Sequence, residues 1–197
     1  ARLASVHIEG CYTLSDAAVG ALRDKGVQLV GWRGFVPFAQ KGSNVTLSQG
    51  GAVATSRKDT QVNSVAAADE SLSAGVHCWE VELTKGIYIT FVGVCKADVR
   101  PESGTYGLYN QQGKAWFMNA YDGALYPGHK DYAGKVPVGA RLGCKLDLGA
   151  GTLTFYLNGV KHGPGWTGIV GPVKRCVEIY AQGDSVTLVR TEPAFRD

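Results

Sequence analysis

The sequence predicts an all-β domain of antiparallel sheets, a sandwich or a barrel, and three observations carry that prediction. Short apolar runs recur along the chain with residues alternating in character, as half-buried strands require. The 27 glycines fall between those runs as turn punctuation and do not collect in one low-complexity tract. Only one segment has a good helical pattern. The length of 197 residues suits one domain, and a chain of that size buries most of its unfolded surface without disulfides.

The elements follow in order. Thr13 or Ser15 is placed to cap a short helix running through Asp16, Ala17, Ala18, Val19, Ala21 and Leu22, with Asp16 favourable near its positive end and Gly26 able to terminate it. This N-terminal helix is predicted to pack outside the sheets. Residues 27–43 contain Trp32, Phe35, Pro37 and Phe38 and read as an ordered lead-in, because exposed aromatic side chains are costly in water.

Strands are predicted at NVTLS (44–48), AVATSR (52–57), VHCWEVEL (76–83), IYITFVGVC (87–95) and KAWFMN (114–119). They continue at ARLGCKLDL (140–148), GTLTFYLNG (151–159), CVEIYA (176–181) and SVTLVR (185–190). Alternation assigns faces. Trp79, Val81 and Leu83 share one side of their strand, with Trp79 as a large core anchor. Leu142, Cys144, Leu146 and Leu148 share another, and Ile87, Ile89, Phe91, Gly93 and Cys95 are predicted to face the core from a third. Asn158-Gly159 is a favoured type I′ hairpin dipeptide after the apolar set Leu153, Phe155 and Leu157.

Composition excludes several functions. The net charge of +3 is spread over isolated Lys and Arg, which argues against electrostatically driven nucleic-acid binding. The longest apolar runs, such as ITFVGV at 89–94, fall far short of the roughly 20 residues of a spanning helix. Ala1 stands where a Met would open a primary product, and no charged-then-apolar leader follows, so the chain reads as a fragment or a processed product. The cysteines at 11, 78, 95, 144 and 176 are odd in number and form no Cys-x-x-Cys pair. They read as buried or half-buried thiols in a reducing compartment, with Cys95 and Cys144 on the apolar sides of their strands and Cys78 and Cys176 on the opposite parity.

The sequence contains no nucleophile elbow, zincin, P-loop or EF-hand signature. His7, His77, His129 and His162 have no short metal-binding spacing. Neither a metal nor a cofactor is expected. Gly159 to Gly165 reads as a turn after a hairpin. Glu80 and Glu82 lie on one strand at roughly 7 Å, a separation permitted for a glycosidase pair but also common on an exposed strand. A richer signal is the run of Tyr106, Tyr109, Trp116, Tyr121, Tyr126 and Tyr132 among Gly, Asn, Gln and Asp. Tyr and Trp offer large contact area at small entropic cost, as recognition surfaces use, although Trp116 and Phe117 also fit a strand with one member in the core.

SAGVHCWEVEL (73–83), FVGVCKAD (91–98) and LGCKLDLGAGTLTFYLNGVKHG (142–163) together resemble the SPRY family in order and separation. NVTLSQGGAVATSR (44–57) resembles its early strand pair, so the resemblance covers about residues 42–190. It implies a bent antiparallel sandwich of two sheets and a protein-interaction module. The implied organisation is an N-terminal segment at 1–41, the sandwich at 42–190 and a tail at 191–197.

In family members that bind short peptides the pocket lies in loops at one end of the sandwich. By motif, the family's arginine falls at Arg57, its tyrosine at Tyr106, and its late turn at Ala181, Gln182 and Gly183. Gln182 departs from members with tryptophan there and removes a stacking surface. With the aromatic run, this gives an expected partner-binding set of Arg57, Lys58, Tyr106, Tyr109, Trp116, Gln182 and Gly183, and no catalytic residue. Arg pairs with carboxylates or carbonyls, Tyr106 presents a ring with a polar tip, and Gly183 permits close backbone approach.

The expected function is non-catalytic recognition of a peptide or protein surface. The domain is expected to be monomeric in isolation and to select partners or substrates for a larger intracellular, cytoplasmic protein such as a ubiquitin-ligase adaptor or scaffold. A lectin-like sandwich using Asn119, Tyr121 and Asp122 is the alternative, followed by a glycosidase.

Overall fold

A computed structural model of the chain describes residues 5–7, 25, 28–30, 36–57, 64–85, 89–101, 107–189 and 195. In chain order the strands are β1 (Ser5–His7), β2 (Gln28–Val30), β3 (Phe38–Lys41), β4 (Val45–Ser48), β5 (Val53–Ser56), β6 (Ser64–Ala68), β7 (Val76–Lys85) and β8 (Thr90–Lys96). They continue as β9 (Ala115–Asn119), β10 (Leu125–Tyr126), β11 (Arg141–Asp147), β12 (Thr152–Leu157), β13 (Val160–Trp166), β14 (Val173–Ile179) and β15 (Ser185–Leu188).

Two antiparallel sheets form the fold. One has the order β10-β9-β8-β14-β6-β3 and the other β13-β12-β11-β7-β15-β5-β4, while β1 and β2 make a separate parallel pair. Each of the strands expected from the sequence coincides with an observed one. The expected N-terminal helix, together with Trp32 and Phe35, lies outside the described residues.

On the seven-stranded sheet, the space between the sheets is filled by the faces that alternation assigned to it. Trp79, Val81, Leu83, Leu142, Cys144, Leu146 and Phe155 come from the seven-stranded sheet, and Val92, Val94, Met118, Val177 and Ile179 from the six-stranded one. β8 corrects an expectation. Phe91 and Cys95 are buried on the opposite face of their sheet, in a second cluster with Val65, Ala67, Phe117 and Cys176. Val99 and Leu108 cover that cluster, so β8 is apolar on both sides and alternation alone could not choose its inward face.

β13 is a second correction, since Val160–Trp166 is an edge strand where a turn was expected. An edge tolerates Pro164 and the glycines, and the β12–β13 register shifts between Leu153 and Phe155. The strand is tied across the sandwich: Trp166 Nε1 donates to the Phe117 carbonyl at 3.0 Å, and the Tyr132 hydroxyl donates to the Gly163 carbonyl at 2.9 Å. Burial pushes the Tyr132 hydroxyl up to about 12, which keeps it a neutral donor.

β14 is buried along its whole length although it carries three charged residues. Arg175 points between the sheets, 5.5 Å over the Trp79 ring and 3.5 Å from Glu70. Lys174 and Glu178 point the other way and anchor covering segments. Lys174 Nζ donates to the Val99 carbonyl at 2.7 Å and to Gln40. Cys95, Cys144 and Cys176 are buried free thiols and Cys78 is a half-buried one.

Candidate functional site

One end of the sandwich gathers the ends of β5, β7 and β14 with the start of β15. The turn from Tyr180 to Asp184 joins the two sheets there and is clamped to β5. Ser56 N–H donates to the Asp184 carbonyl and Gly183 N–H to the Ser56 carbonyl, each at 2.9 Å. The Ser56 hydroxyl donates to the Tyr180 carbonyl at 3.3 Å. Gly183 has φ +81°, a conformation that a residue with a Cβ adopts at a cost, and an added Cβ would stand 3.1 Å from Lys85 Nζ.

This clamp brings Arg57, Gln182 and Gly183 together. Arg57 follows the clamped Ser56, its N–H donates to the Asn44 carbonyl at 2.7 Å, and its side chain is exposed, as is that of Gln182. The backbone is therefore fixed while the two polar side chains stay available to a partner. Exposed Lys85 adds a second cation beside the turn.

Tyr109 reaches the same end by another route. Its N–H donates to Glu178, one residue before β14 ends, and its ring stacks on Phe91 at 4.5 Å with planes 8° apart. It is half-buried. Trp116 is not part of this group. It is 9% exposed, in the core between the sheets, with Lys96 Nζ 5.6 Å from its ring. Val94, its cross-strand partner, lies toward the opposite end of β8 from Thr90. Lys58 and Tyr106 lie outside the described residues.

Sequence reasoning missed Asp184, which sits under the turn at 4% exposure. Burial raises its carboxyl above the ordinary aspartate value, opposed by the bond from the Ala181 N–H and by Lys85. Its Oδ2 has no hydrogen-bond partner among the described residues. The available signal was an Asp immediately after a turn glycine, a position where a carboxyl closes a turn on its own backbone.

The residues of the two alternatives are otherwise engaged. Asn119 is buried and accepts the Tyr121 N–H at 3.1 Å. Asp122 accepts the Ala124 N–H at 2.9 Å and the Tyr126 hydroxyl at 3.2 Å, leaving Tyr121 as the exposed member of that set. Glu80 is 2% exposed on a sheet face, with Arg141 at 3.9 Å, and Glu82 is opposite Arg141 in the register. Burial raises the Glu80 carboxyl and Arg141 partly opposes the shift. The pair therefore lacks the open cleft with room for a sugar and a water that glycoside hydrolysis needs. Among the described residues, no group of three or more His, Cys, Asp and Glu is arranged to hold a metal, and no helix is long and apolar enough to cross a membrane.

The SPRY domain family model matches residues 76–188, more than half of the chain. The chain belongs to the SPRY family. SPRY domains are protein-interaction modules, and the family assignment carries that coarse function with it. Solved structures agree on the fold. The SPRY domain of human HERC1 superposes with a TM-score of 0.65 at 19% identity, covering 80% of this chain and 97% of that one. A human SPRY domain gives 0.63 at 16% identity, covering 76% and 96%. The PSpry domain of TRIM65 gives 0.59 at 19% identity, covering 78% and 91%.

Proposed function

We propose that this SPRY domain is a non-catalytic recognition module that binds an extended, polar peptide across the end of the sandwich bearing Arg57, Gln182 and Gly183. The observation that carries the reading is the pair of reciprocal bonds between Ser56 and the 183–184 turn. They fix the backbone beneath two exposed polar side chains, so little backbone ordering entropy remains to be lost on binding. Arg57 and Lys85 favour a ligand rich in carbonyl or carboxylate acceptors. Lys58, Tyr106 and Tyr109 belong to the same proposed surface. The wider role is partner or substrate selection for a larger intracellular protein, a ubiquitin-ligase adaptor or a scaffold.

The test is a peptide-library pull-down with wild-type, Arg57→Ala and Gln182→Ala chains, each first shown to be folded by its unfolding midpoint. Loss of the same peptides from both variants supports the reading. Equal recovery by all three chains rejects this surface.

A further inference from the structure

The outer face of the seven-stranded sheet carries an aromatic contact that the recognition surface does not use. Glu80 on β7, Gly143 on β11 and Tyr156 on β12 are cross-strand neighbours in one row. The ring of Phe195 lies on Tyr156 with centroids 4.0 Å apart and planes 6° from parallel. It also fills the space above Gly143, where an added Cβ would overlap its Cε1. Tyr156 is fully buried although its side chain points away from the inter-sheet core.

The rows on either side are mainly polar, with Glu82 and Arg141 in one and Cys78, Lys145 and Thr154 in the other. The notch is thus an isolated apolar spot, floored by Tyr156 and opened by the side chain that Gly143 lacks. Its occupant follows the last ladder bond among the described residues, Val189 N–H to the Glu80 carbonyl at 2.9 Å, by six residues. Phe195 also lies beyond the residues matched by the family model. The contact is face-to-face ring packing on a sheet that is already complete beneath it, so an equivalent ring on another chain would meet the same geometry.

We propose that the Gly143–Tyr156 notch is a second peptide-binding site, selective for a phenylalanine-bearing segment, which Phe195 occupies in cis. The tethered ring competes with any incoming segment, so the apparent affinity in trans falls by the fraction of time the notch is filled. The site lies in the middle of a sheet face, five residues along β7 from Lys85 and the proposed recognition end, and it stands whether or not that end binds a peptide.

The probe is a fluorescent synthetic peptide of residues 190–197, titrated by anisotropy into the full chain. The Phe195→Ala chain is expected to bind it, the wild-type chain about tenfold more weakly or worse. A peptide with alanine in the phenylalanine position is expected to show no binding to either. Adding Gly143→Ala to the Phe195→Ala chain fills the notch and abolishes capture, whereas adding Arg57→Ala leaves it unchanged. Should Phe195→Ala fail to fold, Phe195→Leu keeps the face covered while loosening the stack and is expected to give an intermediate affinity. The proposal is overturned if the folded variant binds neither peptide, if it binds both equally, or if wild type and variant bind the phenylalanine peptide equally.

Discussion

The Tyr109 backbone N–H donates to Glu178 Oε2 at 2.8 Å, and through that bond a fully buried carboxyl of β14 holds the Tyr109 loop against the sheet. Oε1 accepts the neighbouring Leu108 N–H at 3.2 Å. Glu178→Ala leaves both donors without their acceptor, one of them on a fully buried residue, and is expected to cost about 2–4 kcal/mol. Glu178→Gln keeps one acceptor and is expected to fall between. Urea midpoints measure the cost, and amide exchange at residues 108 and 109 should rise more than the global value. Unchanged exchange there would show that the loop is held by stacking on Phe91 alone.

Gly93 lies in β8, where an added Cβ would overlap the Trp116 carbonyl of β9. The obstacle is backbone inside a paired ladder, which cannot swing aside. Gly93→Ala is therefore expected to destabilise by about 3 kcal/mol, at the upper end of overpacking costs. Gly134→Ala meets nothing within 4 Å and is expected to stay within about 0.5 kcal/mol of wild type. Thermal unfolding of the two variants side by side decides it, and similar midpoints would refute the steric account.

Much of this fold was legible because period-2 alternation survives where one face of a strand is polar. Trp79, Val81 and Leu83 point inward as the pattern of VHCWEVEL required, and Leu142, Cys144 and Leu146 do the same. The pattern lost its meaning where a sheet is covered on both sides. β8 is apolar on both faces, and in β14 the charged Lys174 and Glu178 would read as solvent-facing but are tethers for covering segments. β6 was missed because SVAAA has weak strand propensity, and its small side chains fit the buried middle of a sheet between β14 and β3. Arg57, Gln182 and Gly183 could be located by motif, whereas Asp184 and Lys85 join them only through the fold. Trp116 shows the limit of reading aromatic content as surface, since β9 is buried on both faces and neither side of AWFMN offers a ring to solvent.

Asp184 gives a prediction in pH. Burial raises its folded-state value above the ordinary 3.8. The protonated form is then the better tolerated, so this contribution to stability is complete below the ordinary value and is lost as pH rises through the folded one. Asp184→Asn keeps an acceptor for the Ala181 N–H and removes the charge. The stability difference between the variant and wild type is therefore expected to shift in favour of the variant as pH rises from about 3 through the folded value, and then to level off. Glu80→Gln should show the same sign, because burial outweighs Arg141 there. Urea unfolding across the acid range tests both, and a difference that does not change with pH would refute the assigned cause.

Arg57 separates binding from stability. Its side chain is exposed while its backbone N–H is held by the Asn44 carbonyl, so the platform does not depend on the guanidinium. Arg57→Ala is accordingly expected to unfold within about 0.5 kcal/mol of wild type. Its affinity for a peptide recovered by the wild-type domain should nevertheless fall by about tenfold or more, the loss expected when a charge-assisted hydrogen bond is removed. Arg57→Lys restores the charge without the planar fork, so partial recovery identifies paired hydrogen bonding to the ligand and full recovery identifies charge alone. Calorimetric titration of the three chains with one peptide makes the distinction. If Arg57→Ala binds as tightly as wild type while Gln182→Ala does not, the ligand lies along the 180–184 turn and away from β5.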